Sequence, residues 1–184
     1  MDKAGFLLGN DGIRRKGGKR LEFTITAPIA DKTRVNIANY LASQFRNIGA
    51  DIDVQALEWN VIDDGINKFD AFILGWGSPF DADEHTFNLL HSSQIESGLN
   101  YGAYRDARVD ELLQMGRTTT NEEKRNEIYK EFQEKLSENP PYNFIVYLEA
   151  VFGVNKKISG IKTRTLGHKG AGFVWNLEEW TIDG

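Results

Sequence analysis

The sequence predicts an α/β fold with a mostly parallel sheet and helices packed on it, and three observations carry that expectation. Leu21, Phe23, Ile25 and Ala27 alternate with Glu22, Thr24 and Thr26, the two-residue period of a strand. Ala38, Leu41, Phe45 and Ile48 then recur at three and four residues, the period of a helix with one buried face. Alternation returns at Ile52, Val54 and Ala56, and a short helical stretch, Asn60–Asn67, leads to a third strand over Phe69–Gly75. Strand, helix, strand, helix, strand with right-handed crossovers makes a parallel sheet.

The elements can be justified in order. Ala4–Leu8 reads as the tail of a helix stopped by Gly9-Asn10. Five basic residues follow around Gly17-Gly18, between Arg14 and Arg20. A phosphate loop would need Gly-Lys-Ser/Thr opening a helix, which is missing, so the pair reads as a tight turn kept soluble by its charges. Pro28 ends the first strand, Asp31 or Thr33 caps the helix that follows, and Gly49 takes the position just beyond it. Ala71–Leu74 is an unbroken apolar run too short for a helix, and reads as a central strand covered on both faces. Beyond it the chain turns helical: Glu84–Leu90, a helix capped by Asp106 that buries Val109, Leu112 and Leu113, and one capped by Asn121 that presents Ile128, Phe132 and Leu136 and stops at Asn139-Pro140-Pro141. Tyr142–Leu148 is strongly β-prone and Val151–Val154 extends it; the glycine-rich tail ends in Trp175–Trp180, too apolar to float freely.

Composition narrows the function classes. With 40% hydrophobic and 27% charged residues over 184 positions, the chain can bury a core, on the order of 70% of its unfolded surface. A net charge of −5 gives the molecule as a whole no reason to seek nucleic acid or anionic lipid. Cysteine is absent, which removes thiolate zinc sites, disulfides and thiol nucleophiles together. Met1–Phe6 lacks the apolar stretch of a signal peptide, so the sequence is expected either to be cytosolic or to lack its N-terminal part.

The candidate site is the stretch after the third strand. Gly75-Trp76-Gly77 leaves bare main chain and an aromatic ring at a strand's carboxyl end, where open α/β sheets bind ligands. Trp59 follows the second strand in the same way. If those strands are neighbours, both indoles stand on one rim; the alternative is that each caps the core. Ser78, Phe80, Asp81 and Tyr101 complete the candidate set. Asp81, Asp83, Glu84 and His85 read as a solvated helix N-terminus rather than a metal or acid–base cluster, because the regular offsets of a calcium loop are missing. A hydrolase using Asp81, Asp83 or Glu58 stays open as a rival, since paired carboxylates are a spatial arrangement, but no Gly-x-Ser-x-Gly elbow is present. No catalytic residue, metal ligand or cofactor is expected.

The order of pieces resembles one family. AGF, GKRLEFTI, IGADIDVQALEW, FDAFILGWG, DADEHTF, HSSQ, NYGAY, VDELL, PPYNFIVY and VNKKISGI together resemble the C-terminal lobe of the family 5 extracellular solute-binding proteins, receptors of ABC importers for oligopeptides, dipeptides or nickel. The resemblance implies a type II periplasmic-binding-protein lobe, a mostly parallel sheet with helices on both faces, cut from a two-lobed receptor that closes by a hinge. It implies residues 1–184 as a single ligand-binding lobe, with residues 155–184 packing towards a missing N-terminal lobe, a membrane permease as partner, and a place outside the cytoplasmic membrane or in the periplasm, with a signal or lipoprotein segment upstream. An extended peptide would hydrogen-bond to Gly75-Trp76-Gly77 by strand addition, with Trp59 and Trp76 lining side-chain pockets. Two departures matter. The aspartate that pairs with a peptide's amino terminus is replaced by Ser78 or Pro79, and the arginine that anchors its carboxyl terminus by Ile73. Longer peptides, other anchors, or an uncharged ligand such as an oligosaccharide follow from that; nickel fits less well without convergent histidines.

Overall fold

The alternating segment after Leu21 becomes the middle of a parallel sheet. In the computed structural model, which describes residues 1–77, 81–149, 151–163 and 171–182, strand β4 (Glu22–Pro28) lies between β5 (Asp51–Leu57) and β6 (Ala71–Phe72). The chain divides into two units, Met1–Gly75 and Trp76–Gly184.

In the first unit, β4 and β5 run parallel in unbroken register from Glu22↔Asp51 to Pro28↔Leu57. β6 pairs with β4 only at Ile25↔Ala71 and Thr26↔Phe72. The expected central strand at Ala71–Leu74 is therefore a short edge strand, and β4 holds the centre. The apolar run reflects burial of Ile73, whose N–H donates to the Thr26 carbonyl at 2.9 Å, rather than strands on both sides. The strands carrying Trp59 and Trp76 are accordingly not neighbours, because β4 separates β5 from β6.

Helix α1 (Lys32–Asn47) begins where the sequence places it: Asp31 Oδ1 accepts from the Arg34 N–H at 3.0 Å, and Gly49 closes the end with φ +87°. Its buried residues are Ala38 and Ala42, whose small side chains let the helix lie close on Ile25, Ala27, Ile52 and Ile73. Leu41 and Phe45 pack against that core, with Phe45 edge-on to Phe23 at 5.6 Å, whereas Ile48 caps the helix and is exposed. The N-terminal stretch departs from expectation. A 3-10 turn at Asp2–Ala4 precedes strand β1 (Leu7–Leu8), which pairs with β2 (Arg14–Lys16), itself hairpinned to β3 (Lys19–Arg20). Gly17 and Gly18 form that hairpin turn with φ +58° and +82°, the region that favours glycine. The basic run is structural: Arg15 pairs with Asp11, and Arg20 bridges Asp11, Glu22 and Asp51. A short helix, α2 (Trp59–Gly65), leaves β5.

The second unit is built on helices α3 (Ala82–Leu90), α4 (Ala107–Thr118) and α5 (Glu122–Glu138). Asp106 caps α4 through the Arg108 and Val109 N–H groups, and Asn121 caps α5 through Lys124. Phe87, Leu90, Val109, Leu112, Leu113, Tyr129 and Phe132 form their common core. At Gly116 the α4 backbone lies against the Tyr129 ring of α5, since a Cβ there would lie 2.8 Å from Tyr129 Cζ. Gly116→Ala is thus expected to destabilise the protein by about 1–3 kcal/mol through overpacking, read as a lowered urea midpoint at unchanged slope.

One expected strand does not form. Tyr142–Leu148 and Val151–Val154 make no ladder among the described residues, and Tyr147 and Val151 are 91% and 88% exposed. Among the described residues these β-prone side chains meet no partner strand. Further on, β7 (Ile158–Ser159) and β8 (Thr181–Ile182) pair antiparallel. They are tied by the buried Asn176, which donates to the Gly160 carbonyl at 2.7 Å and accepts from Trp180 Nε1 at 3.1 Å.

Candidate functional site

The candidate residues fall in both units. In the first, β5, β4 and β6 point the same way, so their carboxyl ends share one edge of the sheet. Trp59 opens α2 directly beyond β5 and is 45% exposed. Its ring reaches Phe72 of β6 at 6.1 Å, and Phe72 stacks on Phe69 at 6.3 Å. Trp59 and Phe72 thus meet at this end although their strands are not adjacent. Gly75 lies just past the same end, exposed, and a Cβ on it would stand 3.3 Å from Arg34 Nη2.

Arg34 also stands at this edge, beside Gly75. It sits in the first turn of α1 with its side chain 20% exposed, its Nε 3.3 Å from Asp31 Oδ2. Among the described residues its Nη groups donate to no acceptor. The signal available in the sequence was Asp31-Lys32-Thr33-Arg34, a cap followed by a cation directly after the first strand, where the carboxyl edge begins.

In the second unit Trp76 is 38% exposed, between His85 at 6.0 Å and Tyr101 at 6.5 Å, the latter nearly parallel at 28°. His85 Nδ1 faces the Gly77 carbonyl oxygen at 3.3 Å, so Nδ1 is the donating nitrogen. Tyr101 rides on a turn fixed by Asn100, fully buried, which donates to the His91 and Tyr104 carbonyls and accepts from the Tyr104 N–H at 2.9 Å. Ser78 and Phe80 lie outside the described residues.

Asp81 is engaged in holding helices together. Its Oδ1 accepts from the Asp83 N–H, capping α3, and from Arg125 Nη2 of α5, both at 2.7 Å. Arg125 holds the Asp81 carboxyl below its ordinary value of 3.8. The contribution of this pair is therefore present above that value and lost as pH falls through the lowered one. A carboxylate held ionised in this way is unsuited to donating a proton at neutral pH. Asp83 accepts from Arg117 Nε at 2.9 Å. Among the described residues no three histidine, aspartate or glutamate side chains converge as a metal site would require.

A parallel sheet carrying aromatic side chains and bare main chain at its carboxyl edge defines the chain as an α/β domain of the periplasmic-binding-protein class, which its solved neighbours share. The family model described as bacterial extracellular solute-binding proteins, family 5 Middle, matches residues 1–97. The chain belongs to that family, whose members are binding proteins of transporters. Among solved structures, NikZ from Campylobacter jejuni, in complex with Ni(L-His), aligns over 98% of this chain and 37% of its own, with 45% identity and a TM-score of 0.79. The oligopeptide-binding protein AppA from Bacillus subtilis, in complex with a nonapeptide, aligns over 100% of this chain and 36% of its own, with 26% identity and a TM-score of 0.74. Protein XP55 of Streptomyces lividans is 33% identical over 168 residues, 91% of this chain and 31% of that protein. The chain thus spans about a third of the length of the relatives it matches.

Proposed function

We propose that this chain is the C-terminal ligand-binding lobe of the substrate-binding component of an ABC importer and forms half of a cleft that takes an extended oligopeptide. It performs no bond chemistry. The observation that carries this reading is the edge position of β6. Its outer side pairs with no strand among the described residues, and it runs directly into exposed Gly75, so a peptide main chain can add there as a further strand. A strand in the middle of the sheet would have no such side to offer. Trp59, Trp76 and Tyr101 supply aromatic surface for side chains, and Gly77, Ser78, Phe80 and Asp81 belong to the same proposed stretch. The exposed apolar residues from Phe144 to Phe152 support a further lobe that covers them, with the tail from residue 155 packing towards it. The protein would act outside the cytoplasmic membrane and deliver its cargo to a membrane permease.

Titrating the full-length protein with a pool of random hexapeptides should give a saturable change in tryptophan fluorescence; no response to any peptide pool would overturn the reading. A second reading rests on the 45% identity to NikZ in its complex with Ni(L-His): a metal chelate of an amino acid as ligand. It predicts saturation by nickel(II) with L-histidine and none by peptides.

A further inference from the structure

We propose that His91 makes ligand binding at the Trp76–Tyr101 face sensitive to acid: protonation of its imidazole releases the turn that carries Tyr101, so the aromatic face is offered at neutral pH and withdrawn below it. The inference rests on the binding reading above and adds a control to that same site. His91 follows α3 and opens the 3-10 turn Ser92–Gln94, with its side chain 18% exposed. Nδ1 accepts from the Ser93 N–H at 3.1 Å and lies 2.8 Å from Ser93 Oγ. A ring nitrogen that accepts from a backbone N–H carries no proton, so the folded turn selects the neutral imidazole. From α4, the Asp110 carboxylate accepts from the Ser92 N–H at 2.8 Å and from the Ser92 hydroxyl at 2.5 Å. The two side chains together cap one turn.

A proton on Nδ1 breaks that arrangement. The Ser93 N–H loses its acceptor and faces a positive ring, while Asp110 Oδ1, 4.0 Å from Nδ1, becomes the ring's partner in charge. Ring and carboxylate then pair with each other instead of with the turn. The other neighbours disfavour the charge in its present place. His91 stacks on Phe87 at 4.3 Å, and the same Phe87 ring already carries the Arg117 guanidinium at 3.7 Å, itself paired with Asp83. Tyr104, which also feels the Asp106 and Asp110 carboxylates, stays neutral because burial raises its hydroxyl above the ordinary value of 10.0. Release reaches the ligand face through the main chain. The His91 carbonyl accepts from the Gln94 N–H at 3.0 Å and from Asn100 Nδ2 at 3.2 Å, and the Gln94 carbonyl accepts from the Gly98 and Asn100 N–H groups. Tyr101 follows directly, its ring along Trp76.

The test follows pH in the full-length protein with two readouts. Affinity for a single hexapeptide from the binding pool should fall about tenfold between about pH 7.5 and about pH 5.5, where histidine changes charge. Hydrogen exchange of residues 92–104 in the unliganded protein, corrected for the intrinsic effect of pH, should quicken over the same interval. His91→Asn places an amide oxygen where Nδ1 accepts from Ser93 but cannot titrate, and should show neither change. The peptide's own titration is common to both proteins, so the difference between them belongs to His91. An affinity that stays level or rises in the unmodified protein overturns the proposal while the receptor reading stands. So does a fall that His91→Asn retains, as it would if His85 beside Trp76 carried it. If no peptide binds at either pH, the receptor reading falls and the exchange comparison decides the switch alone, unchanged exchange overturning it. Both pH series on unmodified protein need no variant to fold.

Discussion

Asn100→Ala is expected to lower the free energy of unfolding by about 2–4 kcal/mol, the largest effect anticipated for any single polar residue of the second unit. Asn100 is fully buried and uses both ends of its amide. Nδ2 donates to the His91 carbonyl at 3.2 Å and the Tyr104 carbonyl at 2.9 Å, and Oδ1 accepts from the Tyr104 N–H at 2.9 Å. Truncation removes the partner of both the Tyr104 N–H and the Tyr104 carbonyl, while the His91 carbonyl keeps the Gln94 N–H at 3.0 Å, and an unmet buried group costs more than a made bond contributes. The variant also frees the turn that carries Tyr101, whose ring lies along Trp76 at 6.5 Å. Ligand affinity should therefore fall together with stability. Asn100→Asp keeps the acceptor for Tyr104 but loses both donors and buries a charge, so it should be no better. Urea denaturation followed by circular dichroism reads the effect, and a shift below 0.5 kcal/mol (roughly the scale of an ordinary surface change) would show that this amide does not hold the loop.

What could be read from the sequence was what local chemistry decides. Asp31, Asp106 and Asn121 stand as caps because each short polar side chain precedes a helical period, and Gly17-Gly18 turns a hairpin because both residues need positive φ. Strand order was not legible. Ala71–Leu74 has the composition of a central strand, but its place is set by pairing: β4 takes β5 along its full length on one side and β6 at two positions on the other. Tyr142–Leu148 shows the same limit: β-propensity is a demand for a partner, and a segment cannot supply its own. Arg34 reaches the neighbourhood of Gly75 from the first turn of α1, a placement that the fold and not the spacing along the chain decides. Trp76 could be placed beside main chain from its flanking glycines, while its neighbours His85 and Tyr101 are a product of the second unit's packing.

Trp76→Ala should weaken ligand binding by about 2–3 kcal/mol, roughly 30- to 150-fold, while changing the free energy of unfolding by less than about 1 kcal/mol. The two halves of that expectation separate the two roles open to the ring. A tryptophan that caps a core is covered by it, and its removal costs stability on the order of 3–5 kcal/mol. Trp76 is 38% exposed, is held by His85 and Tyr101 at its flanks, and is absent from the core of Phe87, Leu112, Leu113 and Phe132. What it offers is a rigid aromatic face with little entropy left to lose, the usual character of a residue that dominates an interface. Trp76→Phe keeps part of that face and should recover part of the affinity. Calorimetric titration of the full-length protein with a single hexapeptide drawn from the binding pool, run beside urea denaturation of each variant, gives both numbers. A variant that binds within threefold of the original but unfolds several kcal/mol sooner would make Trp76 a structural cap, and the ligand's side chains would then have to be met elsewhere.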